Sequence, residues 1–366
     1  MRQHKGFDNI LLIATLMLVG IGIVMVYSAS AIIAEDRFNN EYFFLKRQAA
    51  FAFISIVIMF IVTKIDHQFY KSTAYVILGI SITSLILVLV PGVGSKIGGS
   101  TRWFRIAAIS IQPSEFAKLG LIIYLAYSLS KKKKGIKTFS VGVLPHLIIT
   151  GIIFLLIMQQ PDMGTALCLG VIMFTMLFAS GVRLSHLSLI LISVSPVIYF
   201  LIINKAYRLE RWTAFLNPWK DPADSGFQVI QSLYAFGSGG IFGRGLGDGK
   251  QKLFYLPEPH TDFIFSVIGE ELGLIGVLIV IGIFLIFIYR GIMIAIRSSD
   301  LFSIYLALGI TTLIGLQAII HLGVTMGLLP TKGIPLPYIS YGGSSLLTNM
   351  IGLGILLNIS SQVKKR

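Results

Sequence analysis

Apolar runs of about twenty residues recur along the whole chain, and few folds accommodate them. They fall at residues 8–33, 48–63, 73–91, 112–130, 140–159, 163–181, 186–204, 262–290, 301–329 and 343–360, the second being short. In a bilayer every backbone polar group must be satisfied internally, so only helices and closed barrels cross it. Runs of this length and apolarity suit spanning helices. The expected fold is therefore an all-α polytopic membrane protein of about ten spanning helices, residues 1–366 forming a single integral membrane domain. A composition 55% apolar, with mean hydropathy +0.83, places the chain outside the soluble range. The first run is too long for a signal-peptide core and is read as a retained helix.

The formal charge is +14, and its distribution identifies its purpose. Arg2, Lys5, Lys64, Lys71, Lys131–Lys134, Lys137, Arg183, Arg290, Arg297 and Lys364–Arg366 fall in short connections on one side; the other side carries fewer. Positive residues mark the cytoplasmic side, so both termini are expected there, as an even helix count requires. The excess is a topology signal and an attraction for anionic lipid, not a nucleic-acid surface. The single cysteine, Cys168, lies in an apolar run and offers neither an intramolecular disulfide nor a zinc site.

On this topology three irregular stretches lie outside: Pro91–Pro113, the large loop 205–261 between helices 7 and 8, and Pro330–Gly343. Long loops without a domain of their own tend to be functional, so chemistry is expected there. The first stretch reads as an amphipathic interfacial piece anchored by Trp103. Glu115 and Lys118 follow it, three apart on one helix face, as a structural pair or with Lys118 available to a phosphate. The large loop opens with Lys205, Arg208 and Arg211 among Tyr207 and Trp212, and Phe227–Phe236 has the spacing of a short helix on the membrane surface. Gly237, Gly239, Gly240, Gly243, Gly245, Gly247 and Gly249 match neither a Walker loop nor a dinucleotide turn. They would form an anion-binding nest or a flexible loop.

The stretch Lys252–Gly273, KLFYLPEPHTDFIFSVIGEELG, concentrates acids at the mouth of an apolar run, where ionisable groups are costly. Asp262 at a helix start caps the helix or acts as a general base at a hydroxyl. Asp262, Ser266, Gly269 and Glu270 share a helical face, with Glu270 about 12 Å deeper. Glu271 turns away, so Glu270 and Glu271 each need a partner of their own. Lys118, Lys332, Arg102, Arg208, Lys250 and Lys252 are the cations that could meet a leaving diphosphate. His260, two residues from Asp262, would orient it, titrate or simply hydrogen-bond.

Residues 257–273, PEPHTDFIFSVIGEELG, resemble the signature of the shape, elongation, division and sporulation (SEDS) family. Asn217–Gly249, Gln160–Thr165 (QPDMGT) and Pro330–Leu346 (PTKGIPLPYISYGGSSL) are similar to its other loops, and Arg102 to Lys118 and Tyr27–Ser30 match more loosely. Gln251-Lys252-Leu253 and Pro330–Gly333 are nearer the division branch; Gly237–Gly240 and Gly333–Pro337 are nearer the elongation branch. The resemblance implies a peptidoglycan glycosyltransferase of the bacterial cytoplasmic membrane. It would polymerise lipid II, an undecaprenyl-diphosphate-linked disaccharide-pentapeptide, with a class B penicillin-binding protein among other divisome or elongasome membrane proteins. It implies Asp262 as the essential aspartate, Glu115, Lys118 and Asp162 as matching positions, and supporting roles for Ser340, Gly342 and Gly343. A divalent cation (Mg or Mn) on the diphosphate is compatible with this chemistry, although the sequence shows no carboxylate cage. A lipid II flippase, an elongation-type polymerase and a non-catalytic scaffold are the alternatives.

Overall fold

A computed structural model describes residues 6–97, 100–106, 109–132, 135–252, 256 and 258–362. Arg2, Lys5, Lys133, Lys134 and Lys364–Arg366 of the basic side lie outside the described residues, as do 253–255 and 257 of the acidic stretch. The helices are α1 (Asn9–Phe38), α2 (Phe43–Lys64), α3 (His67–Ser72), α4 (Ala74–Leu89), α5 (Pro113–Lys131), α6 (Phe139–Gly142) and α7 (Leu144–Gln159). They continue as α8 (Met163–Ala179), α9 (Leu184–Ile203), α10 (Ala206–Leu216), α11 (Phe227–Gly239), α12 (Ile264–Arg297), α13 (Leu301–Thr325) and α14 (Gly343–Gln362).

Each of the ten apolar runs is helical, and seven helical stretches among the described residues are long and apolar enough to cross a membrane. Ala74–Leu89 and Met163–Ala179 are shorter, and α5 carries the buried Glu115 and Lys118. The second helix, expected to be short, spans 22 residues from Phe43. Helices α5, α13 and α14 form the buried centre, while α9 buries only Leu187 and Ile190. Small residues allow the close approaches: a Cβ on Gly343 would meet the Phe51 ring at 2.6 Å, and one on Gly354 the Met59 carbonyl at 2.8 Å, where α14 packs on α2.

Two expectations fail. The chain is not wholly helical, because β1 (Ser95–Ile97), β2 (Ser100–Ile106) and β3 (Ile109–Ile111) form a three-stranded antiparallel sheet. In β2 the side chains alternate between two faces, setting Arg102 with Phe104 and Trp103 with Arg105, so the amphipathic piece is a strand. The glycine series, in turn, is neither a nest nor a free loop. Helix α12 breaks at Gly273 (φ 65°, ψ −163°), a conformation open essentially to glycine. The freed carbonyls of Glu270 and Glu271 accept from the amides of Arg244 and Gly245 (3.0 and 3.1 Å). The freed amides of Leu274 and Ile275 donate to the carbonyls of Gly240 and Ile241 (2.9 and 3.2 Å). A Cβ on Gly243 would strike the Glu271 carbonyl, and one on Gly239 the Gly269 carbonyl, so glycine is what lets this backbone fill the gap. Helix α11 correspondingly packs into the bundle rather than lying flat: Ser232 Oγ is 2.5 Å from Ser266 Oγ of α12 and donates to the Thr325 carbonyl.

Candidate functional site

The loops 39–42, 90–112, 160–162, 204–263 and 326–342 meet at one end of the bundle, as contacts from Arg102 to Gln160, Gln112 to Ser344 and Tyr341 to His260 establish. The Asp262 segment is held there by backbone. Its own amide donates to the Glu258 carbonyl (3.3 Å), the Tyr341 amide donates to the His260 carbonyl (2.9 Å), and Ser340 Oγ donates to the Thr261 carbonyl (2.7 Å) while accepting from the Leu336 amide (2.8 Å). Ser340 thereby joins the last loop to the acidic stretch. Gly343 supplies the packing against Phe51 described above, and Gly342 precedes α14, where a Cβ would lie in ordinary contact with Ser345 (3.8 Å).

Helix α12 begins at Ile264, capped at Phe263, so Asp262 precedes the helix and neither caps it nor shares its face. That face, Ser266, Gly269 and Glu270, is instead the seat of α11. Among the described residues no hydrogen bond or ion pair reaches the Asp262 carboxylate. A Cβ at Gly333 would lie 3.2 Å from Asp262 Oδ2, so the glycine leaves the carboxylate its space. Burial pushes Asp262 up to about 6, with Glu258 and Asp162 adding to the rise and Arg211 and Arg102 opposing it.

Beside it lies an open groove. Its walls come from Arg102 of β2, Asp162 to Gly164 at the start of α8, Tyr207, Arg208, Arg211 and Trp212 of α10, and Pro330 to Gly333. Asp162 caps α8, accepting from the Thr165 amide (3.1 Å) and hydroxyl (2.9 Å), with Arg102 Nη1 3.9 Å away. The pair Glu115–Lys118 (2.7 Å) is buried, and its charges act on Cys168 together with those of Asp162 and Lys332, placing all of these at the same end.

The structure sorts the candidate cations by what already holds them. Arg102 donates from Nε and Nη2 to the carbonyls of Gln160 and Pro161 (both 2.7 Å), which fixes it as the clamp of the 160–162 connection and a wall of the groove. Arg208 donates to the Leu201 carbonyl at the end of α9 (2.8 Å) and to the Tyr207 hydroxyl (2.9 Å). Lys252 does not reach the groove. Its ammonium is buried against Glu271 Oε1 (2.6 Å) and Ser28 Oγ (3.1 Å), because that carboxylate, at 0% side-chain exposure, needs a counter-charge. Glu270 accepts from the amides of Lys250 (2.8 Å) and Gln251 (3.1 Å), so both glutamates are structural partners of the loop that closes the helix break. His260 is packed between Phe44 (4.4 Å between ring centres) and Tyr341 (5.5 Å), and burial holds it down to about 4, neutral at pH 7. It acts as a wedge between the two rings. Lys332 lines the groove without a recorded acceptor among the described residues, and burial lowers its pKa.

Arg211, Tyr207 and Trp212 are groove residues that spacing alone did not single out. The signal was present, since AYRLERWTAFL is amphipathic, but only packing shows that both of its arginines line the groove and that Arg208 is the one held by protein acceptors. Among the described residues no group of three or more His, Cys, Asp or Glu is placed to hold a metal ion. Asp162 is occupied by Thr165 and Arg102, so the carboxylates present do not form a resident cation cage.

The family model described as cell cycle protein, covering FtsW, RodA and SpoVE, matches residues 9–365. The probable peptidoglycan glycosyltransferase FtsW of Geobacter metallireducens is 45% identical over 100% of this chain and 97% of its own length. The stage V sporulation protein E of Bacillus subtilis is 46% identical over 96% of each. Among solved structures, a chain of a peptidoglycan synthase complex that coordinates polymerization and crosslinking matches with a TM-score of 0.81 at 31% identity, covering 97% of both chains. Thermus thermophilus RodA matches at 0.71 and 27% identity, covering 98% of both. With its apolar helices and that shared fold, the chain belongs to the FtsW/RodA/SpoVE family of multi-pass proteins of the bacterial inner membrane.

Proposed function

We propose that this protein is a peptidoglycan glycosyltransferase that polymerises lipid II for septal wall synthesis, as the names of its FtsW relatives suggest. On this reading ten helices cross the membrane, both termini are cytoplasmic, and residues 205–261 with the groove face outward. The observation that carries the mechanism is an uncommitted carboxylate, Asp262, beside a cationic groove. Asp262 takes the proton of the acceptor sugar's 4-hydroxyl; that oxygen attacks the donor's anomeric carbon. The bond from that carbon to the diphosphate breaks, its electron pair leaves with undecaprenyl diphosphate, and the anomeric centre inverts. Lys332 and the Arg102 wall stabilise the departing charge. Glu115–Lys118 and Asp162 support that wall from beneath.

A class B penicillin-binding protein is the proposed partner, supported by the match to a chain of a peptidoglycan synthase complex. Glu270 and Glu271, the acids that a transport path could have used, are taken up by Lys250, Gln251, Lys252 and Ser28. The test is lipid II polymerisation by the purified complex carrying Asp262→Ala. Loss of polymer is expected, and undiminished polymer would remove Asp262 as the base.

A further inference from the structure

We infer that Arg211 of α10 is a diphosphate-binding residue of the groove, closing on the leaving group opposite Lys332. The inference rests on the glycosyltransferase reading and adds a ligand to it.

Four of the basic side chains near this end are spent on protein acceptors: Lys118 on Glu115, Lys252 on Glu271, Arg102 on two carbonyls and Arg208 on the end of α9. Arg211 has no hydrogen-bond acceptor and no carboxylate within ion-pair distance among the described residues, and the same holds for Lys332. Both line the groove, and the charge of Arg211 bears on both Lys332 and Asp262. Two unpaired cations facing one cavity repel each other, an arrangement that an anion reverses.

The chemistry of the arginine narrows that anion. Its guanidinium sits 5.9 Å from the Tyr207 ring centre, while Arg208 lies 5.4 Å from the same ring, so stacking orients the fork without consuming its donors. A planar fork of five donors fits a phosphate through two parallel bonds, which the point charge of a lysine cannot do. Arg208 fastens α10 to α9 one turn earlier, which holds in place the helix that presents Arg211 to the groove. A lipid-linked diphosphate presents two adjacent anionic groups, one for each uncommitted cation.

The test uses the full-length protein in detergent with Asp262→Asn in every sample, so that binding is read without turnover. The probes are undecaprenyl diphosphate and uncharged undecaprenol. Arg211→Ala is expected to weaken the diphosphate about ten- to hundredfold and to leave undecaprenol unchanged. Arg211→Lys is expected to recover only part of the loss, since the fork is missing. The thermal midpoint should hold in both variants because Arg211 is exposed and, among the described residues, makes no hydrogen bond or ion pair. Unchanged diphosphate affinity in Arg211→Ala, full recovery by lysine, or an equal loss for undecaprenol would each overturn the inference. Because the assay does not depend on Asp262 as base, polymerisation by Asp262→Asn would sink the proposed mechanism and leave this result standing.

Discussion

Replacing Asp262 by asparagine should abolish polymerisation and at the same time stabilise the protein at neutral pH. The carboxylate is half-buried without a partner, and its pKa rises from an ordinary 3.8 to about 6, first through burial and then through Glu258. A folded-state value above the unfolded one means that the fold holds this proton more tightly. The group's contribution is therefore intact below pH 4, declines between pH 4 and 6 as the unfolded chain ionises first, and is a constant deficit above. The shift corresponds to about 3 kcal/mol, and water at the groove mouth brings the expected figure to about 1–3 kcal/mol. Asparagine keeps the shape and removes the charge, so at pH 7.5 the variant should melt higher by roughly 1–4 °C, given the entropy of unfolding a chain of this size. At pH 4 the two proteins should melt together. The assay is thermal unfolding of both full-length proteins in the same detergent at the two pH values. No gain at pH 7.5, or an equal gain at both, would refute the claim that Asp262 is held ionised at a cost to the fold.

Three further outcomes follow from the same geometry. Polymerisation by the intact protein should fall about tenfold per pH unit below 6, because the base must be ionised; a profile flat to pH 5 would contradict the value for Asp262. Lys252→Met or Glu271→Leu alone should cost about 3–5 kcal/mol by leaving a buried charge unpaired, and the double variant should recover most of it, read from denaturant midpoints. Gly273→Ala should destabilise by about 1–3 kcal/mol or more, since the backbone there is left-handed and the new Cβ would lie 2.6 Å from the Ile241 carbonyl; increased proteolysis within 240–245 would report the loop leaving the break.

Much of the candidate site was legible residue by residue, and what was missed has a common cause. Asp262 stood out as an acid in an apolar setting, and Glu270 and Glu271 were rightly expected to need separate partners. Lys252, His260 and Arg102 sat close to the right motifs, yet their roles turn on whether a neighbour hundreds of residues away, or merely on another loop, already occupies them. Ser28 lies 243 residues from the Glu271 that it shares with Lys252. Arg211 was indistinguishable from Arg208 in the sequence, and one bond to the Leu201 carbonyl separates them.

The sequence by itself determined where the helices run, because hydropathy is a local property and a backbone in lipid has little choice but to satisfy itself within the segment. It also marked the glycine series as a place where backbone would approach closely, read there as a nest or a flexible loop. Tertiary structure alone decided what those glycines do. The loop at 240–245 supplies the hydrogen bonds that the broken α12 lacks, a pairing between two segments that neither encodes alone. It likewise decided which charges are free. A cation's availability is set by the acceptors packed around it, and those come from distant parts of the chain.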